Sequence, residues 1–177
     1  MSSQPPLVIV LMGVSGSGKS TTGAALSRAL DWPFRDADSF HPPANVEKMA
    51  RGTPLTDEDR WPWLAAIARW IDERCEAGEH GIISCSALKR SYRERIIGTR
   101  RGVQLVYLKG ERSLIGQRLR GRRNHFMPAS LLKSQFSVLE EPGADENPVV
   151  VSIAMSPRRV VATIVEQLGL EPPTNGG

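Results

Sequence analysis

Short apolar runs alternating with helical patterns predict an α/β protein, a parallel sheet covered by helices on both faces. Three observations lead there. An apolar run at 7–12 reads as a buried strand. It runs into Gly13-Val14-Ser15-Gly16-Ser17-Gly18-Lys19-Ser20, which fits the phosphate-loop pattern G-x-x-x-x-G-K-[ST] and opens a helical pattern at 20–30. Further strand-like runs then recur at 33–36, 81–85, 103–109 and 149–153, each separated from the next by helical sequence.

The helical segments follow in order. A second begins near Pro43, a residue suited to a first turn, and ends at Gly52. The clearest spans 61–77, where Leu64, Ile67, Ala68, Ile71 and Cys75 share a face. Pro62 is placed near its start, where a missing N–H costs nothing, and Gly78 follows its end. Others are expected at 92–97, 113–121, 129–139 and 157–168. Right-handed crossovers then bring the phosphate loop and the strand ends to one edge of the sheet.

A length of 177 residues suits one domain, 1–177, with a tail at about 171–177 that is expected to fray. No apolar run approaches the ~20 residues of a membrane span, and the start of the chain lacks the features of a secretion signal. The reading is a cytoplasmic protein with no membrane partner. Cys75 and Cys85 fit neither a disulfide framework nor a metal signature and are read as free thiols. The net charge is +4, and between Lys89 and Arg123 twelve Lys/Arg stand against Glu94 and Glu111. No nucleic-acid module accompanies that basic segment, and the phosphate loop favours a clamp on nucleotide and anionic substrate over nucleic acid.

The loop has a specific physics. Its glycines let successive N–H groups face an anion, and the helix that follows points its positive end at the same place. Gly13, Ser15, Gly16, Ser17, Gly18, Lys19, Ser20 and Thr21 therefore form the nucleotide-binding set. Lys19 serves the terminal phosphates and counts as catalytic, and Ser20 is a Mg²⁺ ligand. Asp36 and Asp38 stand two apart at the end of the second strand. One suits magnesium or its water, and the other suits a substrate hydroxyl proton; both could instead cap the next helix.

Asp36-Ala37-Asp38-Ser39-Phe40-His41-Pro42, with Asn45, Lys48-Met49 and the block from Gly52-Thr53-Pro54-Leu55 through Arg60-Trp61-Pro62-Trp63-Leu64, resembles the gluconate kinases among small P-loop kinases. The resemblance continues at Ser84-Cys85-Ser86-Ala87-Leu88-Lys89-Arg90, Tyr92-Arg93, Asn124-His125-Phe126-Met127 and 131–142. It implies a P-loop kinase fold like that of shikimate and nucleoside-monophosphate kinases, five parallel strands with a mobile lid at about 118–130. It implies ATP and Mg²⁺ as cofactors, D-gluconate as substrate, 6-phospho-D-gluconate as product for the pentose phosphate pathway, and a homodimer.

On that resemblance Asp38 is the catalytic carboxylate and Asp36 lies nearer the metal. His41 meets a hydroxyl, and Arg60, Lys89 and Arg90 are candidates for the substrate carboxylate, with Lys48 a weaker one. Arg118 and Arg122 belong to the lid, Arg122 stabilising developing charge and Arg118 also a candidate for stacking on adenine. His125 and Gln135 approach the substrate, and Pro157 borders the base. Trp61 and Trp63 read as packing. The usual acid at the end of the third strand is missing, since Ile82-Ile83 lead into serine. Other small-molecule kinases on the same scaffold, or a nucleotide switch, are the competing readings; a guanine-reading Asn-Lys-x-Asp is absent.

Overall fold

The computed structural model describes residues 7–120 and 129–173. β1 (Val8–Met12) is buried along its whole length, as an unbroken apolar run in a central parallel strand must be. It pairs with β3 (Gly81–Ser84) on one side and β4 (Val103–Lys109) on the other, so that Val10 faces both Ile83 and Leu105. β2 (Phe34–Asp36) and β5 (Val149–Ser152) complete a five-stranded sheet in the order β2-β3-β1-β4-β5, every pairing parallel.

Side chains alternate across that sheet and build two cores. Ile9 and Leu11 face α1 (Lys19–Leu30), α5 (Arg112–Arg120) and α7 (Pro157–Gln167), packing with Leu26, Ile115, Leu119, Val160 and Ile164. Val8, Val10 and Met12 face α3 (Asp57–Glu76) and α4 (Arg90–Ile96), with Leu64, Ile67, Ile71, Tyr92 and Ile96. α2 (Pro43–Ala50) leads from β2 to α3, and α6 (Ala129–Val138) lies between α5 and β5 in sequence. From β1 the chain leaves towards β2, whereas from β4 it leaves towards β5. Diverging exits of this kind open a crevice at the carboxyl ends of the strands.

Several boundaries differ from the sequence reading. α3 begins at Asp57, four residues earlier than expected, because Thr56 and Asp59 cap each other. The Asp59 N–H donates to Thr56 Oγ1 (3.1 Å) and the Thr56 N–H to Asp59 Oδ2 (2.9 Å). Pro62 therefore sits inside the helix, where its ring removes the donor that the Glu58 carbonyl would have had. α4 begins at Arg90 rather than 92, and short 3₁₀ turns at Ala37–Phe40 and Ala144–Glu146 were not anticipated.

Both cysteines are free, and burial holds the Cys85 thiol up at about 12, so it packs as a neutral group. No helix among the described residues is long and apolar enough to cross a membrane. Most of the expected lid, with Arg122 and His125, and residues 174–177 of the tail lie outside the described residues.

Candidate active site

Between β1 and α1 the chain turns tightly enough to need glycine. Gly16 and Gly18 have φ of 84° and 93°, and Gly18 caps α1. A Cβ on Gly13 would stand 2.6 Å from Ser17 Oγ and 3.1 Å from the Leu108 carbonyl. The result is a concave run of main chain at the positive end of α1. Ser17 Oγ is buried in it and has no hydrogen-bond partner among the described residues. A buried polar atom without a partner marks a place that an incoming polar group can satisfy. The Lys19 ammonium donates to the carbonyls of Gly13 (2.8 Å) and Val14 (3.1 Å). Burial lowers its pKa, while Asp38 and Asp36 act in the opposite direction.

A cleft of about 330 Å³ opens beside this loop, lined by Gly16, Ser17, Gly18, Thr21, Arg118 and Pro157 with Ile153, Met155 and Val160. The structure thus brings together seven positions that the sequence reading had set around a nucleotide, counting Lys19 on the loop itself. The Arg118 guanidinium donates to the Ile153 carbonyl and forms one wall. Pro157 starts α7, whose Ser156 hydroxyl caps Arg159 N at 3.3 Å. The cleft's mixture of apolar side chains, one guanidinium and a phosphate loop suits a nucleoside with a phosphate chain.

Asp36 and Asp38 take different positions. Asp36 does cap the turn that follows, accepting from Asp38 N (2.9 Å), and it also accepts from the Ser20 hydroxyl at 3.1 Å. A hydroxyl and a carboxylate side by side at the lip of a phosphate loop fit a Mg²⁺ ion, which takes few protein oxygens and keeps waters and phosphate oxygens. Among the described residues no group of three or more His, Cys, Asp or Glu could hold a metal without such help. The Asp38 side chain is 85% exposed, and its carboxylate lies 4.0 Å from His41 Nε2. Partial desolvation and, second, the charge on Asp36 raise its pKa above the ordinary carboxylate value.

Behind Asp38 lies His41, 5% exposed at the side chain and stacked on Trp63 with ring centroids 4.3 Å apart. The Asn45 amide approaches His41 Nδ1 at 3.3 Å and donates to the Asp59 carbonyl at 2.8 Å. Because that amide nitrogen can only donate, Nδ1 accepts and Nε2 carries the hydrogen of the neutral ring. Nε2 lies 4.0 Å from Asp38. Burial lowers the His41 pKa, which favours that neutral form.

The basic candidates separate. Arg60 and Lys89 converge on Asp57, at 3.8 Å and 3.2 Å. Tyr92 donates to the same carboxylate at 2.6 Å, and Arg60 donates to Tyr92 Oη at 3.3 Å. The hydrogen bonds from Tyr92 and then Lys89 lower the Asp57 pKa. Arg90 is not brought to this cluster. It is the first residue of α4, where it pairs with Asp145 and approaches Glu94 at 3.5 Å. Lys48 is engaged by Asp59 at 2.8 Å. Gln135, expected at the substrate, is bonded instead to Ser15 of the phosphate loop, at 2.7 Å and 3.0 Å. Asp57, Tyr92 and Asn45 had not been singled out as site residues. The Thr56-x-x-Asp59 cap, which places Asp57 on the first turn of α3, was the available signal for the first of them.

A phosphate loop on a five-stranded parallel sheet, a nucleoside-sized cleft, and an acid beside a Ser–Asp pair define a P-loop phosphotransferase. A family model described as an AAA domain matches residues 8–142. The gluconokinase of Gluconobacter oxydans (strain 621H) is 45% identical over 94% of this chain and 93% of its own length. The crystal structure of a gluconokinase from Sinorhizobium meliloti 1021 superposes with a TM-score of 0.83 at 44% identity, covering 94% of both chains. An unliganded sugar kinase from Janibacter sp. HTCC2649 gives a TM-score of 0.86 at 43% identity, over 95% of this chain and 97% of that one. The chain belongs to the gluconokinase family of P-loop kinases.

Proposed function

We propose that the chain transfers the terminal phosphoryl group of ATP to the primary hydroxyl of D-gluconate, giving 6-phospho-D-gluconate, in the cytoplasm. The observation that carries the reading is Asp38, whose N–H donates to Asp36 of the Ser20–Asp36 pair and whose exposed carboxylate lies within electrostatic reach of Lys19. Phosphoryl transfer asks little covalent chemistry of a protein; it asks for alignment and charge.

Main-chain amides of the loop hold the phosphate chain, Lys19 neutralises its outer end, and Arg118 and Pro157 border the base. Arg60 and Lys89 receive the substrate carboxylate, with Asp57 and Tyr92 keeping the two cations in place. His41 Nε2–H orients a hydroxyl. Asp38 accepts the proton of the attacking hydroxyl, a role that its raised pKa suits. Mg²⁺, held by Ser20 and Asp36, would neutralise charge on the phosphate oxygens.

A coupled ADP-release assay with ATP, Mg²⁺ and a panel of acceptors tests this. Gluconate is expected to give turnover, and glucose, which has no carboxylate for Arg60 and Lys89, little. Faster turnover of glucose or shikimate than of gluconate would overturn the acceptor assignment.

A further inference from the structure

Gln135 sits on α6, 120 positions along the chain from the phosphate loop, yet both halves of its amide are used there. Its Oε1 accepts the Ser15 N–H at 2.7 Å and its Nε2 donates to Ser15 Oγ at 3.0 Å. Two hydrogen bonds to one residue fix both a peptide plane and a hydroxyl. Ser15 lies inside the loop, where main-chain N–H groups are the anion-binding elements. The Ser15 peptide, whose own N–H is spent on Gln135, is therefore held by a side chain from another element, and the neighbouring N–H groups are left to face the anion.

α6 is also anchored just past the end that carries Gln135. Beyond it, Glu140 N donates to the Leu88 carbonyl at 2.8 Å, and the Glu140 carboxylate accepts from Arg90 N at 3.1 Å. The last turn of α6 and the residues after it thus bridge the phosphate loop and the segment that carries Lys89. A side chain at Gln135 that only filled space would not need this pairing of donor with acceptor.

We infer that Gln135 is a positioning residue for the nucleotide, setting the Ser15 peptide so that the phosphate loop is shaped before ATP arrives. This role lies on the nucleotide side, whereas the sequence reading placed Gln135 at the acceptor. It rests on the phosphotransferase reading for its kinetic consequence. Its binding consequence can be measured with nucleotide alone.

The experiment compares wild type, Gln135→Ala and Gln135→Glu by titration with a non-hydrolysable ATP analogue without acceptor, by steady-state kinetics and by thermal melting. Gln135→Ala is expected to weaken analogue binding and raise KM for ATP about fivefold or more, the size set by one or two neutral hydrogen bonds. KM for gluconate and the melting temperature should stay near wild type. Gln135→Glu keeps the acceptor for Ser15 N–H but sets a negative charge beside the phosphate site. It is expected to bind the analogue more weakly than wild type, with a loss that grows as salt is lowered.

Unchanged analogue affinity in both variants would overturn the inference. So would a rise confined to KM for gluconate, which would return Gln135 to the acceptor side, or a loss of affinity explained by a matching fall in melting temperature. If wild type binds the analogue but phosphorylates no sugar acid, the functional proposal fails while the binding comparison still decides the role of Gln135.

Discussion

Two carboxylates two residues apart, Asp36 and Asp38, differ in what occupies them. Asp36 accepts from Ser20 and from the Asp38 N–H, so its oxygens are already directed. Asp38 has His41 Nε2 at 4.0 Å, feels the charges of Asp36 and Lys19, and keeps an exposed carboxylate that can meet a hydroxyl. Asp38→Asn keeps the size and removes the proton acceptor. It is expected to lower kcat by about 10²- to 10⁴-fold, the range of a lost general base, with KM for ATP little changed. The sign of the pH dependence follows. In the proposed role the reactive form is the carboxylate, and desolvation and Asp36 raise its pKa in the free protein, so kcat/KM at low ATP and gluconate should begin to fall at a higher pH than an ordinary carboxylate would give. A kcat/KM profile of wild type locates that acid limb. A limb at or below the ordinary carboxylate pKa, or near-normal turnover by Asp38→Asn, would remove Asp38 from the chemistry.

One scale up, α3 depends on how it begins. The reciprocal Thr56–Asp59 cap fixes the first turn, and that turn carries Asp57 and Arg60 to the basic cluster. Thr56→Ala is expected to cost about 1 kcal/mol in urea unfolding, the usual worth of such a cap. The Lys48 hydrogen bond first, then the Thr56 N–H, hold the Asp59 pKa down at about 2 against an ordinary 3.8. A depressed folded pKa gives stability that is complete above the ordinary value and is lost as pH falls from 3.8 towards 2. Lys48→Met should flatten that acid limb in unfolding curves taken across it. The start of α3 was hard to read in sequence because Asp57-Glu58-Asp59 looks like an acidic loop, and Pro62 then looks like a first-turn residue. The phosphate loop was legible because its glycines answer to backbone geometry wherever the loop occurs, and β1 because a strand buried on both faces must be apolar throughout. Arg60 and Lys89 could be picked out by charge and resemblance. That Asp57 and Tyr92 gather them, that Arg90 turns to Asp145, and that Gln135 reaches Ser15 are contacts between distant residues, and periodicity carries no trace of those.

Across the whole molecule, the least expected group is Arg93, a member of the basic run that is only 2% exposed. It donates to Glu146 Oε1 at 2.6 Å and Oε2 at 3.2 Å, and to the carbonyls of Ala87 and Leu88 at 2.9 Å and 3.2 Å. Its partner closes the 3₁₀ turn at Ala144–Glu146 by accepting from Gly143 N at 3.0 Å. The pair therefore joins the segment after β3, which carries Lys89, to the segment between α6 and β5. Removing one member of a buried pair strands the other. Glu146→Ala leaves the Arg93 charge without a counter-ion and is expected to destabilise by roughly 3–5 kcal/mol. Arg93→Met/Glu146→Leu removes both charges together. It should recover part of that loss, though not all, because the Ala87 and Leu88 carbonyls keep no donor from Arg93. Urea unfolding of wild type, the single variant and the double variant measures the difference. If the double variant were no more stable than Glu146→Ala, the cost would lie in the carbonyl bonds rather than in an uncompensated charge. Kinetics of the double variant separate stability from function: as the segment carrying Lys89 loosens, KM for gluconate should rise while KM for ATP, set at the glycine loop on β1, stays near wild type.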